Sequence, residues 1–127
     1  MIIQVVDDEF DLVNLIKLYL REIGLNAGGF TDSSLAFEHF RINSKYCMLV
    51  ISDIRMPGMN GFEFVRKIRE INPAVKVLLM SAFEVNSAEL SMGLGDAKID
   101  GFIQKPVSMA ELNNVVRKQL EIKTLSS

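Results

Sequence analysis

Five short apolar runs alternate with stretches of helical period along this chain. Ile2-Ile3-Gln4-Val5-Val6, Cys47-Met48-Leu49-Val50-Ile51 and Val75-Lys76-Val77-Leu78-Leu79-Met80 are almost continuously apolar. That pattern predicts parallel strands covered by helices on both faces. A Gly-rich segment near 26–30 predicts a weaker strand at the sheet edge, and Gly101-Phe102-Ile103-Gln104 a short one. Between them, Leu12, Ile16, Tyr19 and Ile23 recur at helical spacing, and Gly24 ends that helix. Phe64, Val65, Ile68 and Ile71 do the same before Asn72-Pro73, and Leu112, Val115, Val116 and Leu120 form a third stripe. A weaker stripe over 33–43 runs through Leu35, Phe37 and Phe40. Asn60, Asn86 and Ser108 each precede a Glu by three residues, the spacing of a capping box. Strict alternation of strand and helix predicts an open α/β sheet, and right-handed crossovers put every strand-to-helix loop on one rim.

Composition narrows the classes. A chain of 127 residues is one domain, and 49% apolar content is enough for a sizeable core. A net charge of −2, with positive charges scattered at positions such as Lys17, Arg21, Arg41 and Lys45, argues against direct nucleic-acid binding. No apolar run approaches membrane-spanning length, and the N-terminus enters a strand without a basic leader. The expectation is a cytoplasmic protein with no membrane partner. Cys47, the sole cysteine, opens an apolar run and reads as a core residue. His39 lies in a helical stretch and reads as an ordinary surface or partly buried histidine.

Polar groups end four of the apolar runs: Asp7 and Asp8, Asp53, Ser81, and Lys105. In a parallel sheet such strand ends meet in one crevice. A carboxylate there can attack phosphorus to give an acyl phosphate, provided its neighbours neutralise the transferring charge. Clustered acids repel one another unless a hard divalent cation joins them, and magnesium suits oxygen ligands of this kind. Asp8 and Asp53 would bind it directly, Asp7 through a water, and the Arg55 backbone carbonyl could add an oxygen. Lys105 would pair with a phosphoryl oxygen as a point charge, and Ser81 would donate to another. Taken singly, each residue has a plainer role. Asp-Asp before a helix caps it, Asp53 is a turn acid, Ser81 a loop residue, and Lys105-Pro106 a strand end. The four together point to a site.

At these residues the chain resembles the receiver domain of bacterial and archaeal two-component response regulators, from residue 2 to about 122. The motifs are Val6-Asp7-Asp8-Glu9, Asp53-Ile54-Arg55-Met56-Pro57-Gly58-Met59-Asn60-Gly61, Ser81-Ala82 and Lys105-Pro106. The resemblance implies a flavodoxin-like (βα)5 fold, a five-stranded parallel sheet of order 2-1-3-4-5 with helices on both faces. It implies a receiver domain over residues 1–122, with 123–127 a frayed tail or the stump of a linker. It implies that Asp53 accepts a phosphoryl group from a histidine kinase or a histidine phosphotransfer protein. Mg2+ would be held by Asp7, Asp8, Asp53 and the Arg55 carbonyl. Ser81, the Ala82 backbone N–H and Lys105 would contact the phosphoryl oxygens, beside a cis Lys105–Pro106 bond. Ser81 and Phe102 fall on the switch positions, so phosphorylation would shift populations on the face of the fourth helix, fifth strand and fifth helix. That face would meet a downstream protein target, or a second chain in a phosphorylation-dependent homodimer. The implied activity is that of a signalling module that phosphorylates itself, not of a metabolite-converting enzyme.

Departures from the family pattern carry their own expectations. The segment from Ser81 to Lys105 is slightly long, and Gly93-Leu94-Gly95-Asp96 replaces an Ala-rich helix end. Glycines weaken a helix interior, so a short fourth helix followed by an irregular loop is expected. Phe102 lacks a hydroxyl, which excludes a switch that needs a tyrosine hydrogen bond. Arg55 and Phe83 each lie two residues after a site residue, where they would flank the path of hydrolytic water and lengthen the life of phospho-Asp53. A binding-only receiver would lack an acid or the lysine, and all are present. An aspartyl-phosphate phosphohydrolase would carry an acid two residues after its nucleophile, where Arg55 stands. A flavodoxin-like cofactor carrier is excluded because Asp7-Asp8-Glu9 would repel a phosphate.

Overall fold

The computed structural model describes residues 2–120. The expectations for 123–127 and for a domain end at 122 lie outside the described residues. Strands β1 (Ile2–Val6), β2 (Ala27–Phe30), β3 (Cys47–Asp53), β4 (Lys76–Ser81) and β5 (Gly101–Gln104) alternate with helices α1 (Phe10–Glu22), α2 (Ser33–Asn43), α3 (Gly61–Ile71), α4 (Ser87–Leu94) and α5 (Met109–Leu120). A short 3-10 turn, Ser44–Tyr46, joins α2 to β3. All strand pairs are parallel, in the order β2-β1-β3-β4-β5. This is the flavodoxin-like fold expected, with the Gly-rich β2 at one edge and the short β5 at the other.

Alternation along the strands feeds two cores. Val6, Val50, Val77 and Leu79 face α2, α3 and α4, while Ile3, Val5, Leu49, Ile51, Leu78 and Met80 face α1 and α5. The expected caps form: Asn60 accepts from the Glu63 amide at 2.9 Å, Asn86 from Glu89 at 2.8 Å, and Ser108 from Glu111 at 3.3 Å. Asp32 caps α2 without a Glu three residues on, accepting from the Ser34 and Leu35 amides.

The α2 stripe departs from expectation. Its buried row is Ser33, Ala36 and Phe40, and Leu35 points to solvent. Small side chains at 33 and 36 let the helix settle on β1, where Gln4 Nε2 donates to the Ala36 carbonyl at 2.8 Å. That contact orients the helix, and Leu35, one residue before Ala36 and so about 100° round the axis, turns away.

The fourth helix is short, as its glycines require. It ends at Leu94, with Gly95 at φ +59° and an irregular stretch before β5. Leu94 is its one buried residue. Gly93 has a packing reason as well: the Phe62 ring of α3 occupies the space where a Cβ would stand, and Arg66 donates to the Gly93 carbonyl. Below it, Arg69 gathers the carbonyls of Lys98, Pro73 and Val75 together with the Asp100 carboxylate. One side chain thereby ties the end of α3 to both segments that feed β4 and β5.

Candidate functional site

The strand ends converge as the alternation requires. Asp53 and Ser81 are the last residues of β3 and β4, one position inside the strands rather than just beyond them. Asp7 and Asp8 follow β1, and Lys105 follows β5. Asp8, Glu9, Asp53, Arg55, Ser81, Ala82, Phe83 and Lys105 line one cavity of about 180 Å³.

Backbone contacts hold Asp53 in place. The Ile54 amide donates to the Met80 carbonyl at 3.1 Å, and the Gly61 amide to the Ile54 carbonyl at 2.7 Å. The start of α3 lies so close to β3 that a Cβ at position 61 would overlap the Asp53 carbonyl oxygen. Only glycine lets the loop close this tightly on the acid it carries.

Lys105 reaches into the acids. Its Nζ stands 2.7 Å from Asp7 Oδ2, 3.1 Å from Glu9 Oε1 and 3.5 Å from Asp53 Oδ2. The Lys105–Pro106 bond is cis, as expected, and the Lys105 amide donates to the Ser81 carbonyl at 2.8 Å. Glu9 is a site residue that sequence reasoning left without a role. Its only signal was its place directly after Asp7-Asp8.

Burial and like charge set the proton affinities. Burial, then the charge of Asp7, pushes the Asp53 carboxyl up to about 6, with Lys105 pulling the other way. Burial also raises Asp7, against the pull of Lys105 and of the Glu9 amide. For Lys105 burial works against the ammonium, but the carboxylates of Asp7, Glu9 and Asp53 outweigh it and hold the group above the usual lysine range. One ammonium therefore faces more carboxylate than it can neutralise.

That excess makes a candidate cation site. Asp7, Asp8 and Asp53 each offer an oxygen, and the three lie within 4.8 Å of one another. Asp7 Oδ1 accepts from the Glu9 amide at 2.9 Å. Its Oδ2 is fully buried and receives no well-directed hydrogen bond, only the charge of Lys105. An all-carboxylate donor set with an unsatisfied oxygen fits a hard divalent ion such as Mg2+. Arg55 lies in the same cavity wall.

The remaining expected residues are placed as follows. Ser81 is buried, and its Oγ accepts from the Phe83 amide at 3.0 Å, so the hydroxyl oxygen is turned toward its own loop. Ala82 lines the cavity. Phe102 lies outside the cavity, half-buried on β5 beside Leu79, and packs on the α4 side of the sheet. The Arg55 guanidinium covers the Phe83 ring. Cys47 is buried, and burial pushes its thiol up to about 11. His39 is half-buried against the Phe30 ring, 5.1 Å between centroids. Neither belongs to the site.

Among known proteins, a family model described as the response regulator receiver domain matches residues 3–117. The autoinducer 1 sensor kinase/phosphatase LuxN of Vibrio harveyi is 29% identical over 123 residues, 97% of this chain and 14% of that protein. The regulatory protein VanRB of Enterococcus faecalis is 33% identical over 107 residues, 84% of this chain and 46% of that protein. The chain thus spans less than half the length of either relative. Among solved structures, a response regulator receiver domain protein from Clostridium thermocellum superposes with a TM-score of 0.83 at 26% identity, covering 99% of this chain and 98% of that one.

Proposed function

The chain belongs to the response regulator receiver domain family, and on that premise we propose that it is the phosphoacceptor of a two-component phosphorelay, with Asp53 as the acceptor. The observation that carries the reading is the convergence of Asp7, Asp8 and Asp53 on one point, with Lys105 in contact with Asp7 and Asp53.

An Asp53 carboxylate oxygen attacks phosphorus in line with the donor. The new O–P bond forms as the bond from phosphorus to the imidazole nitrogen of a histidine kinase or phosphotransfer protein breaks. The bonding pair stays on that nitrogen. Asp7, Asp8 and Asp53, with the Arg55 carbonyl, would hold Mg2+, which would supply charge neutralisation at the phosphoryl oxygens. Lys105 exchanges its contact with Asp53 for a phosphoryl oxygen, and the Ala82 N–H donates to another. Ser81 Oγ leaves the Phe83 amide to donate to a third. That movement frees space beside β4, Phe102 turns into it, and the face of α4, β5 and α5 changes for a downstream protein. A phosphorylation-dependent homodimer on the same face is one form of that output.

Receiver domains are signalling modules rather than metabolic enzymes. No helix among the described residues is long and apolar enough to cross a membrane. We place the chain in the cytoplasm, where a kinase and its target would reach it.

Intact mass after incubation with a small phosphodonor tests the reading, with and without Mg2+ and beside Asp53→Asn. One added phosphoryl group that requires both Mg2+ and Asp53 is expected. No addition to a folded protein, from a small donor or from a histidine phosphotransfer protein, would instead make this a binding-only module.

A further inference from the structure

Three carboxylates hold the Lys105 ammonium, and they hold it unequally. Asp7 is nearest at 2.7 Å, Glu9 follows at 3.1 Å and Asp53 stands off at 3.5 Å. Among the described residues, only Glu9 accepts a well-directed hydrogen bond from Nζ. Glu9 is the N-cap of α1, a place where a side-chain oxygen ordinarily accepts from the first helical amides. Its side chain makes no such bond. It reaches across to the residue that follows β5 instead. Glu9 and Asp53 also lie on opposite sides of the ammonium's surroundings: the Asp53 side chain is buried, 8% exposed, and that of Glu9 stands toward solvent, 65% exposed.

We propose that Glu9 is a positioning residue that holds Lys105 off Asp53 and so keeps room at the acceptor oxygen for a phosphoryl oxygen. The inference rests on the phosphoacceptor reading and deepens it. A tight hydrogen bond between an ammonium and a carboxylate is about 2.7–2.9 Å long, and the contact with Asp53 is looser than that. If the ammonium closed on Asp53 Oδ2, it would engage the lone pair that has to attack phosphorus. It would also bring positive charge against a cation held by the same carboxylate. Asp7 Oδ2 is fully buried and has the charge of Lys105 beside it, which keeps the ammonium in the cavity. What remains free is its sway between Asp53 and Glu9, and the directed bond to Glu9 sets it outward. A phosphoryl group on Asp53 extends toward the ammonium and meets it there. Three N–H donors then serve Asp7, Glu9 and the phosphoryl oxygen together.

Glu9→Asp separates the contact from the charge. It keeps the carboxylate, falls one methylene short of Lys105 and suits the N-cap of α1. An ion pair as exposed as this one is worth at most a few-fold. Gain of mass from acetyl phosphate with Mg2+ should therefore be about three- to fivefold slower in Glu9→Asp. Calorimetric titration with Mg2+ alone should show affinity weakened by a similar factor. In a Lys105→Met background, Glu9→Asp should change neither quantity, because the group it positions is gone. A helix-end or purely electrostatic role of Glu9 would persist in that background. Circular dichroism checks that each variant folds. Wild-type rates and Mg2+ affinity in Glu9→Asp, or effects undiminished by Lys105→Met, would overturn the proposal. A wild type that takes no phosphoryl group would count against the phosphoacceptor reading, and the Mg2+ titrations would still decide whether Glu9 holds Lys105 off Asp53.

Discussion

Arg55 lies across the ring of Phe83, its guanidinium carbon 4.8 Å from the ring centroid. The pair joins the β3–α3 loop to the β4–α4 loop over the cavity that holds Asp53. A cation on an aromatic face of this kind is worth about 0.5–1 kcal/mol at an exposed site. Both side chains line the cavity with Asp53, where they would obstruct water approaching an acyl phosphate on that residue. Replacing both residues by Ala should quicken loss of the phosphoryl group about tenfold, ~1.4 kcal/mol of barrier. The single variants should fall short of their combined effect, because each leaves the other half of the cover. The decay of phosphorylated protein, followed by mass after donor removal, decides it. Unchanged decay in the double variant would show that the pair does not screen the bond.

Asp53 gives the metal-free protein an unusual pH dependence. Its carboxyl sits near 6 when folded against an ordinary 3.8. Between those values the folded chain binds more protons than the unfolded one, so stability falls as pH rises from about 4 to about 6. The loss is on the order of 2 kcal/mol. Asp53→Asn removes the titrating group, and its profile over that window should be flatter. At pH 7 in chelator it should be the more stable of the two. Urea denaturation of both proteins at pH 4.5 and 7 makes the comparison. Parallel profiles would mean that the acid is not strained in the folded state.

The same crowding predicts a response to magnesium. Ligand present at about a hundred times its dissociation constant stabilises a folded protein by ~2.7 kcal/mol. Asp8 is exposed, so Asp8→Asn should change metal-free stability by no more than about 0.5 kcal/mol. It should nonetheless lose most of the magnesium effect. Thermal unfolding with Mg2+ and with chelator separates the two. A full magnesium response in the variant would remove Asp8 from the ligand set.

Gly61 has no room for a methyl group. In Gly61→Ala the new Cβ meets backbone on the Asp53 side rather than a movable side chain. A destabilisation of about 2–4 kcal/mol is expected, with phosphorylation slowed because Asp53 is displaced. Gly28→Ala, where nothing lies within 4 Å of the added atom, should change stability by less than about 1 kcal/mol. Equilibrium unfolding of both variants checks the contrast.

The site was more legible in the sequence than the surface. Continuous apolar runs fit central strands when helices cover both faces, so the places of Asp53 and Ser81 at the ends of β3 and β4 followed from chain order, while Lys105 followed from the short run that makes the edge strand β5. The cap at Asn60 and the short α4 were readable because their signals are local. The outward turn of Leu35 was not, because a helix's rotation is set by which side chains let it approach the sheet. Here Ala36 decides, through Gln4 on β1, together with Ser33, whose hydroxyl donates to the Met59 carbonyl. The role of Glu9 depends on the reach of Lys105 from the far end of the chain. Nor could Arg69 be singled out among the basic residues, since its partners Lys98 and Asp100 come from a loop distant in sequence.

With Leu94 its one buried residue and Leu90 only partly covered, α4 is attached to the body chiefly through its second half. An element with so little buried apolar surface opens at a free energy well below that of the whole domain, which is itself about 5–15 kcal/mol. Amide exchange should therefore reach α4 through local opening, while β3 exchanges only on global unfolding. A small redistribution of contacts beside β4 is then enough to change the shape of α4. The sheet that carries Asp53 would keep its own shape throughout, so the proposed acceptor and the element proposed to move differ most in how tightly the fold holds them.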